Sequence, residues 1–247
     1  ALLSGLLLAF SWPSIGLFPL VFIAFIPLLI LEKASENGKQ VFGYSFLAFF
    51  IFNAITTYWV YHATVFGAIA AFFVNATLMS IAFWLFHKIK KSTSNRLGYL
   101  SFIVLWISME YLHLNWDLSW PWLTLGNVFS NVPSIVQWYE YTGVLGGSLW
   151  VLLVNILVFK AWTTESGKQK WIFPILVVVV PVLFSFYLGE TKDLITEKST
   201  YEIVIVHNLF LVNSYHFYLR EFTLIRYPLP VVLYVLRRHI LVSTNYA

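Results

Sequence analysis

The chain has 247 residues, 60% of them hydrophobic and only 11% charged, with 15 Lys and Arg against 11 Asp and Glu. Soluble domains carry about 25% charged residues, so this composition excludes an ordinary soluble globule and makes lipid the working solvent. No Cys is present, which rules out disulfides, thiolate metal sites and a Cys nucleophile within these residues.

A helix needs about 20 apolar residues to cross the hydrocarbon. The chain opens on Ala1 and "LLSGLLLAF", without the basic start and small-residue cleavage site of a signal peptide. Residues 2–10 therefore read as the remnant of a first membrane helix, and the chain as a fragment at its N-terminus. Full spans are expected at about 14–31, 41–61, 68–87, 97–113, 141–159 and 171–188. Backbone groups in lipid must be hydrogen-bonded within their own segment, so helices are the expected form.

The basic residues set the orientation, because cytoplasmic loops are enriched in Lys and Arg. Lys33 and Lys39 follow the second span, Lys88, Lys90, Lys91 and Arg96 the fourth, and Lys160, Lys168 and Lys170 the sixth. The alternate loops, around 11–13, 62–67 and 114–140, hold no Lys or Arg. This pattern places the N-terminus in the cytoplasm and the segment after residue 189 outside, and it explains the net charge of +4 without a nucleic acid. Residues 1–188 form the expected transmembrane domain. Beyond them, "YEIVIV" (Tyr201 to Val206) reads as a short buried strand opening an extracytoplasmic segment, 189–247, whose tail has no assigned structure.

The outer loop "LNWDLSWPWLTLGN" (Leu114 to Asn127) concentrates aromatics between two apolar runs. Trp116, Trp120 and Trp122 suit a membrane interface, where the ring is apolar and the N–H stays wet. Pro121 stops a helix and holds those rings on a non-helical loop, which lipid tolerates only where protein or a cavity surrounds it. Trp59, Tyr61 and His62 extend the aromatic rim at the outer end of the third span.

Glu110 lies inside the fifth span, where an acid is costly and marks a candidate functional residue. His113 follows three residues later on the same helix face, so mutual satisfaction of the pair is the plain alternative. Gly143 and Gly147 are spaced for close helix packing, and Ser148 beside them sits in no nucleophile elbow. Asn53, Asn75 and Asn155 read as interhelical hydrogen-bonders, and His87 as a solvated or headgroup-facing residue at the start of a basic loop. No spacing of His and acids suits a metal, and no cofactor is expected.

Four segments in this order, "LLLAFSWPSIGLFPLVFIAFIPLL", "YWVYHATVFG", "WISMEYLHLNWDLSWPWLTLGN" and "YTGVLGGSLWVLLVN", resemble the membrane domain of bacterial apolipoprotein N-acyltransferases. The resemblance covers roughly residues 1–206 and implies an all-α polytopic bundle of about seven transmembrane helices in the bacterial inner membrane. The start of an extracytoplasmic nitrilase-like α/β domain would follow at Tyr201 to Val206. It also implies a reaction: an acyl chain passes from a phospholipid to a Cys thioester, then to the N-terminal amine of a diacylglyceryl-lipoprotein. Phospholipid, lipoprotein acceptor and bilayer are the implied partners. The Glu, Lys and Cys that carry this chemistry in the family match no position here, so no catalytic residue is assigned and the chain alone is expected to be silent. The candidate lipid-binding residues are Glu110, His113, Trp116, Trp120, Pro121, Trp122, Trp59 and Tyr61, lining the entrance for acyl chains. His113 departs from the Arg often found there. A small polytopic transporter and a non-enzymatic membrane scaffold are the alternatives.

Overall fold

A computed structural model describes residues 1–116, 120–165 and 167–196. The expected strand at 201–206 and the tail lie outside the described residues. Residues Ala1–Glu190 form one compact unit. It contains seven α-helices: α1 (Leu2–Ser11), α2 (Ile26–Ala34), α3 (Gly38–Thr56), α4 (Val65–Ser92), α5 (Asn95–Asn115), α6 (Tyr139–Thr163) and α7 (Ile172–Thr196, running past the unit's end). Among the described residues, four segments are long and apolar enough to cross a membrane: α4, α5, α6 and Lys168–Glu190, which holds most of α7.

The span expected at 14–31 is not one helix. Gly16 takes a left-handed φ of 86°, Phe18–Ile23 forms a 3-10 turn, and only the nine residues of α2 are α-helical. Two prolines explain the break. Pro19 and Pro27 lack an N–H, and each starts a new helical segment instead of continuing the one before it. The apolar run of the sequence concealed both interruptions.

A broken helix leaves peptide groups that lipid cannot satisfy. Here α6 supplies the partner. Asn155 Oδ1 accepts from Phe25 N–H at 2.9 Å, and its Nδ2 donates to Val21 O at 2.8 Å. Ser4 Oγ on α1 accepts from Leu28 N–H at 3.1 Å. Asn155 is fully buried and bridges α6 to the break, as expected of an intramembrane Asn. Asn75 does the same between α4 and α3, donating to Asn53 Oδ1 at 2.6 Å.

α3, α4 and α5 pack consecutively, with α1 against α3. Their shared core is aromatic. Trp106 meets Phe25 edge-on at 5.0 Å and Phe49 at 5.2 Å, while Phe102 lies 5.0 Å from Phe86. Such contacts contribute about 0.5–1.5 kcal/mol each beyond area burial. In a bilayer, where lipid tails are as apolar as Leu, shape-specific contacts of this kind matter more than burial itself.

The two ends of the bundle differ. At one end Glu32, which is 2% exposed, accepts from His87 Nδ1 at 2.9 Å and from Lys90 Nζ, joining α2 to α4. His87 is therefore not solvated or facing headgroups: it too is 2% exposed, turned inward to a carboxylate that α2 carries into the protein. Lys90 and Lys160 also lie over the Tyr99 ring at this end. At the other end Trp59 meets Trp122, and Asn131 Nδ2 donates to Pro13 O at 2.7 Å. The loops free of Lys and Arg thus meet at one end and the basic ones at the other.

Gly143 does not serve close packing, for its φ of 63° with ψ of −173° interrupts α6 near its start. Gly147 does. A Cβ there would meet the Tyr139 ring and stand 2.9 Å from Gly126 Cα, so the helix backbone touches the turn Leu125–Phe129 directly.

α7 contains Pro181, which cannot donate to the carbonyl four residues earlier, Val177 O. Trp150 on α6 fills that gap, its Nε1 donating to Val177 O at 2.7 Å. One indole both repairs the proline defect and docks the helix. This makes a double-mutant cycle informative. Trp150→Phe should destabilise the chain by about 1 kcal/mol more in the native background than in a Pro181→Ala background, where the helix supplies its own N–H. Denaturation in mixed micelles measures both, and additive effects would remove the proposed repair.

Candidate functional site

The loop between α5 and α6 contains three 3-10 turns among its described residues: Pro121–Leu123, Leu125–Phe129 and Pro133–Ile135. Its irregular backbone is held by buried side chains. Glu110, 3% exposed, accepts two hydrogen bonds at Oε1, from Trp106 Nε1 at 2.9 Å and from the Leu125 backbone N–H at 2.8 Å. Trp106 lies one turn before it on α5, and Leu125 belongs to the loop. Ser148 Oγ on α6 lies beside the same carboxylate and accepts from Gly126 N–H at 3.0 Å. Tyr139 Oη donates to Gly126 O at 2.9 Å. Three helical side chains thus clamp two consecutive loop residues.

The pairing of Glu110 with His113 is not formed. His113 is 5% exposed, yet neither ring nitrogen has a hydrogen-bond partner among the described residues. Its ring instead meets Trp116 edge-on, centroids 5.3 Å apart. Glu110 Oε2, Trp116 Nε1 and Trp120 Nε1 are likewise buried without a hydrogen bond of ordinary geometry. Buried polar atoms are seldom left so, and several together mark a place where something polar belongs.

A narrow recess between α4, α5 and the loop is lined by Glu110, His113, Trp120, Asn75 and Thr124, with Met79, Met109 and Leu123 as apolar walls. The space inside it is small, with room for about one water molecule.

Of the expected site residues, the structure brings Glu110, His113, Trp116 and Trp120 together. Pro121 opens its 3-10 turn, and its carbonyl accepts from Thr124 Oγ1 and Asn127 Nδ2, both at 3.0 Å. Trp122 turns to Trp59, with the rings perpendicular at 5.8 Å. Tyr61 is 55% exposed and packs near His62, on the rim and away from the recess. Sequence reasoning missed Ser148 and Asn75 as parts of this site. An Asn in mid-span was a usable signal, whereas nothing near Ser148 suggested that it braces a loop.

Glu110→Gln keeps an acceptor for Trp106 and Leu125, while Glu110→Leu leaves both N–H groups buried and unpaired. The Leu variant should lose about 2–4 kcal/mol of stability and the Gln variant under about 1 kcal/mol, as read from denaturation in mixed micelles. Equal losses would mean that the clamp does not hold the loop.

Residues 4–157 match the family described as apolipoprotein N-acyltransferase N-terminal domain. Among curated proteins, the chain is 33% identical over 184 residues to the apolipoprotein N-acyltransferase of Chlorobaculum tepidum, covering 73% of this chain and 34% of that protein. It is 28% identical over 192 residues to that of Geobacter metallireducens, covering 73% and 36%, and 24% identical over 206 residues to that of Borreliella burgdorferi, covering 78% and 38%. No solved structure matches. The chain thus spans about a third of the length of these relatives. With helices long and apolar enough to cross a membrane, a loop clamped by a buried acid, and a match over more than half its length, this chain belongs to the apolipoprotein N-acyltransferase family, over that family's N-terminal domain.

Proposed function

We propose that this chain is the membrane domain of an apolipoprotein N-acyltransferase, serving transfer of a phospholipid acyl chain to the N-terminal amine of a diacylglyceryl-lipoprotein. Seven crossings of the bacterial inner membrane fit the element order, with the basic end in the cytoplasm and the aromatic end outside. The 3-10 segment and α2 together make the second crossing. Residues 189–247 then lead into an extracytoplasmic, nitrilase-like part.

One observation carries the functional reading beyond kinship. The Trp120-Pro121-Trp122 stretch leaves the α-helix for a 3-10 turn, and the residues just after it, Leu125 and Gly126, are held by Glu110 and Ser148. Its outward Trp122 continues with Trp59 into a rim where Tyr58, Tyr61 and Phe66 stand exposed. A rigid aromatic ledge of this kind suits an acyl chain entering from lipid, because flat rings give dispersion contact without demanding hydrogen bonds.

The broken second span is a feature transporters share. Its freed peptide groups are taken by Asn155 and Ser4 instead of facing a pathway, so it gives transport no support.

The family's thioester step needs a thiol, and these 247 residues contain none. Purified chain mixed with phospholipid and a diacylated lipoprotein peptide should therefore yield no acylated peptide by mass spectrometry, and detectable transfer would refute this silence. Orientation is tested separately. Single cysteines placed at Ser92 and Ser130 of this Cys-free chain should react with impermeant maleimide from opposite sides, Ser130 from outside. Labelling of both from one side would overturn the topology.

A further inference from the structure

The chain has only two sulfur atoms, those of Met79 and Met109, and both residues line the recess beneath the loop. Met79 comes from α4 and Met109 from α5. His113 follows Met109 by four residues, one turn along the same face of α5. It borders the recess too, 5% exposed and with neither ring nitrogen hydrogen-bonded among the described residues. Filling an irregular gap is the ordinary use of Met in a core. Here, however, two thioethers and an unbonded imidazole from two helices border one small space.

Size and donor set together limit the occupant. With room for about one water molecule, the recess excludes any organic group and leaves water or a single ion. Mg²⁺ and Ca²⁺ take about six or more oxygen ligands, which these residues do not supply. Zn²⁺ is held by thiolate, imidazole and carboxylate, usually four together, and here only His113 and Glu110 are of those kinds. Thioether sulfur is soft, and soft ligands select Cu(I), which imidazole also suits.

The surroundings fit a single positive charge. No Lys or Arg lines the recess. The Glu110 carboxylate stands at its wall, and when ionised it offsets a monovalent cation in a medium of low dielectric. Trp120 adds an aromatic neighbour of the kind cations favour. Asn53 Nδ2 donates to Met79 Sδ at 3.5 Å, and the same amide donates to Phe49 O at 2.7 Å. That amide orients the thioether as outer partners orient metal ligands.

We propose that Met79, Met109 and His113 form a binding site for one Cu(I) ion, with Glu110 balancing its charge. The assignment rests on the recess alone and not on the acyl-entrance reading, so either can fail without the other.

The test uses the full chain in detergent micelles, free of oxygen and with ascorbate present, titrated with Cu(I) against the competing chelator bicinchoninate in sulfur-free buffer. One Cu(I) per chain is expected, with Cu–S scattering in X-ray absorption at the copper K edge. Because the chain has no other sulfur, that scattering can come only from Met79 and Met109. Met79→Leu and Met109→Leu nearly conserve side-chain volume. Each should weaken binding at least about tenfold, the loss that even an outer partner of a ligand brings. An excess of Zn²⁺ should leave the copper in place. Absence of binding would mean that water alone fills the recess, and the proposal falls. It falls equally if copper shows only nitrogen and oxygen scatterers, if affinity is unchanged in both Leu variants, or if zinc displaces the copper. Should a Leu variant fail to fold, as read by circular dichroism, the scattering of the native chain decides by itself.

Discussion

A peptide group without a partner costs several kcal/mol in a bilayer, and that constraint governs the whole chain. Among the described residues, three departures from regular α-helix are each matched by a polar side chain sent from a neighbouring helix: the stretch before α2, the loop between α5 and α6, and Pro181 in α7. Asn155 serves the first, Glu110 and Ser148 the second, and Trp150 the third. Three of these four residues lie on α6, so that helix supplies most of these repairs. The aromatic core then fixes distances that hydrophobicity alone cannot fix in lipid.

Much of this was legible beforehand, and the limits have physical causes. α4, α5 and α6 stand close to their expected bounds because long apolar runs framed by Lys-rich loops leave little choice. The second span misled because hydropathy averages over Pro19 and Pro27, and because the partner that makes its break tolerable is 130 residues distant. Glu110 was visible as an acid where acids are expensive. Its partners were not: sequence proximity favours His113, but the helix points the carboxylate at Trp106 and at a loop whose path no local rule predicts. Glu32 and His87 sit where apolar runs end, and there a sequence does not tell an inward side chain from an outward one.

The same carboxylate has two oxygens with different fates. Oε1 is committed to the fold, tying α5 to the loop, while Oε2 accepts no hydrogen bond of ordinary geometry. One residue thus both secures the loop and borders the recess.

The bridge from Asn155 to Phe25 and Val21 also has a bearing on biogenesis. A nascent chain threads its helices into the membrane in order, and the interrupted segment emerges long before α6 has been translated. Until then its bare amide and carbonyl must remain with water or translocon. The N-terminal hairpin therefore settles late, drawn into place by a helix synthesised more than a hundred residues after it.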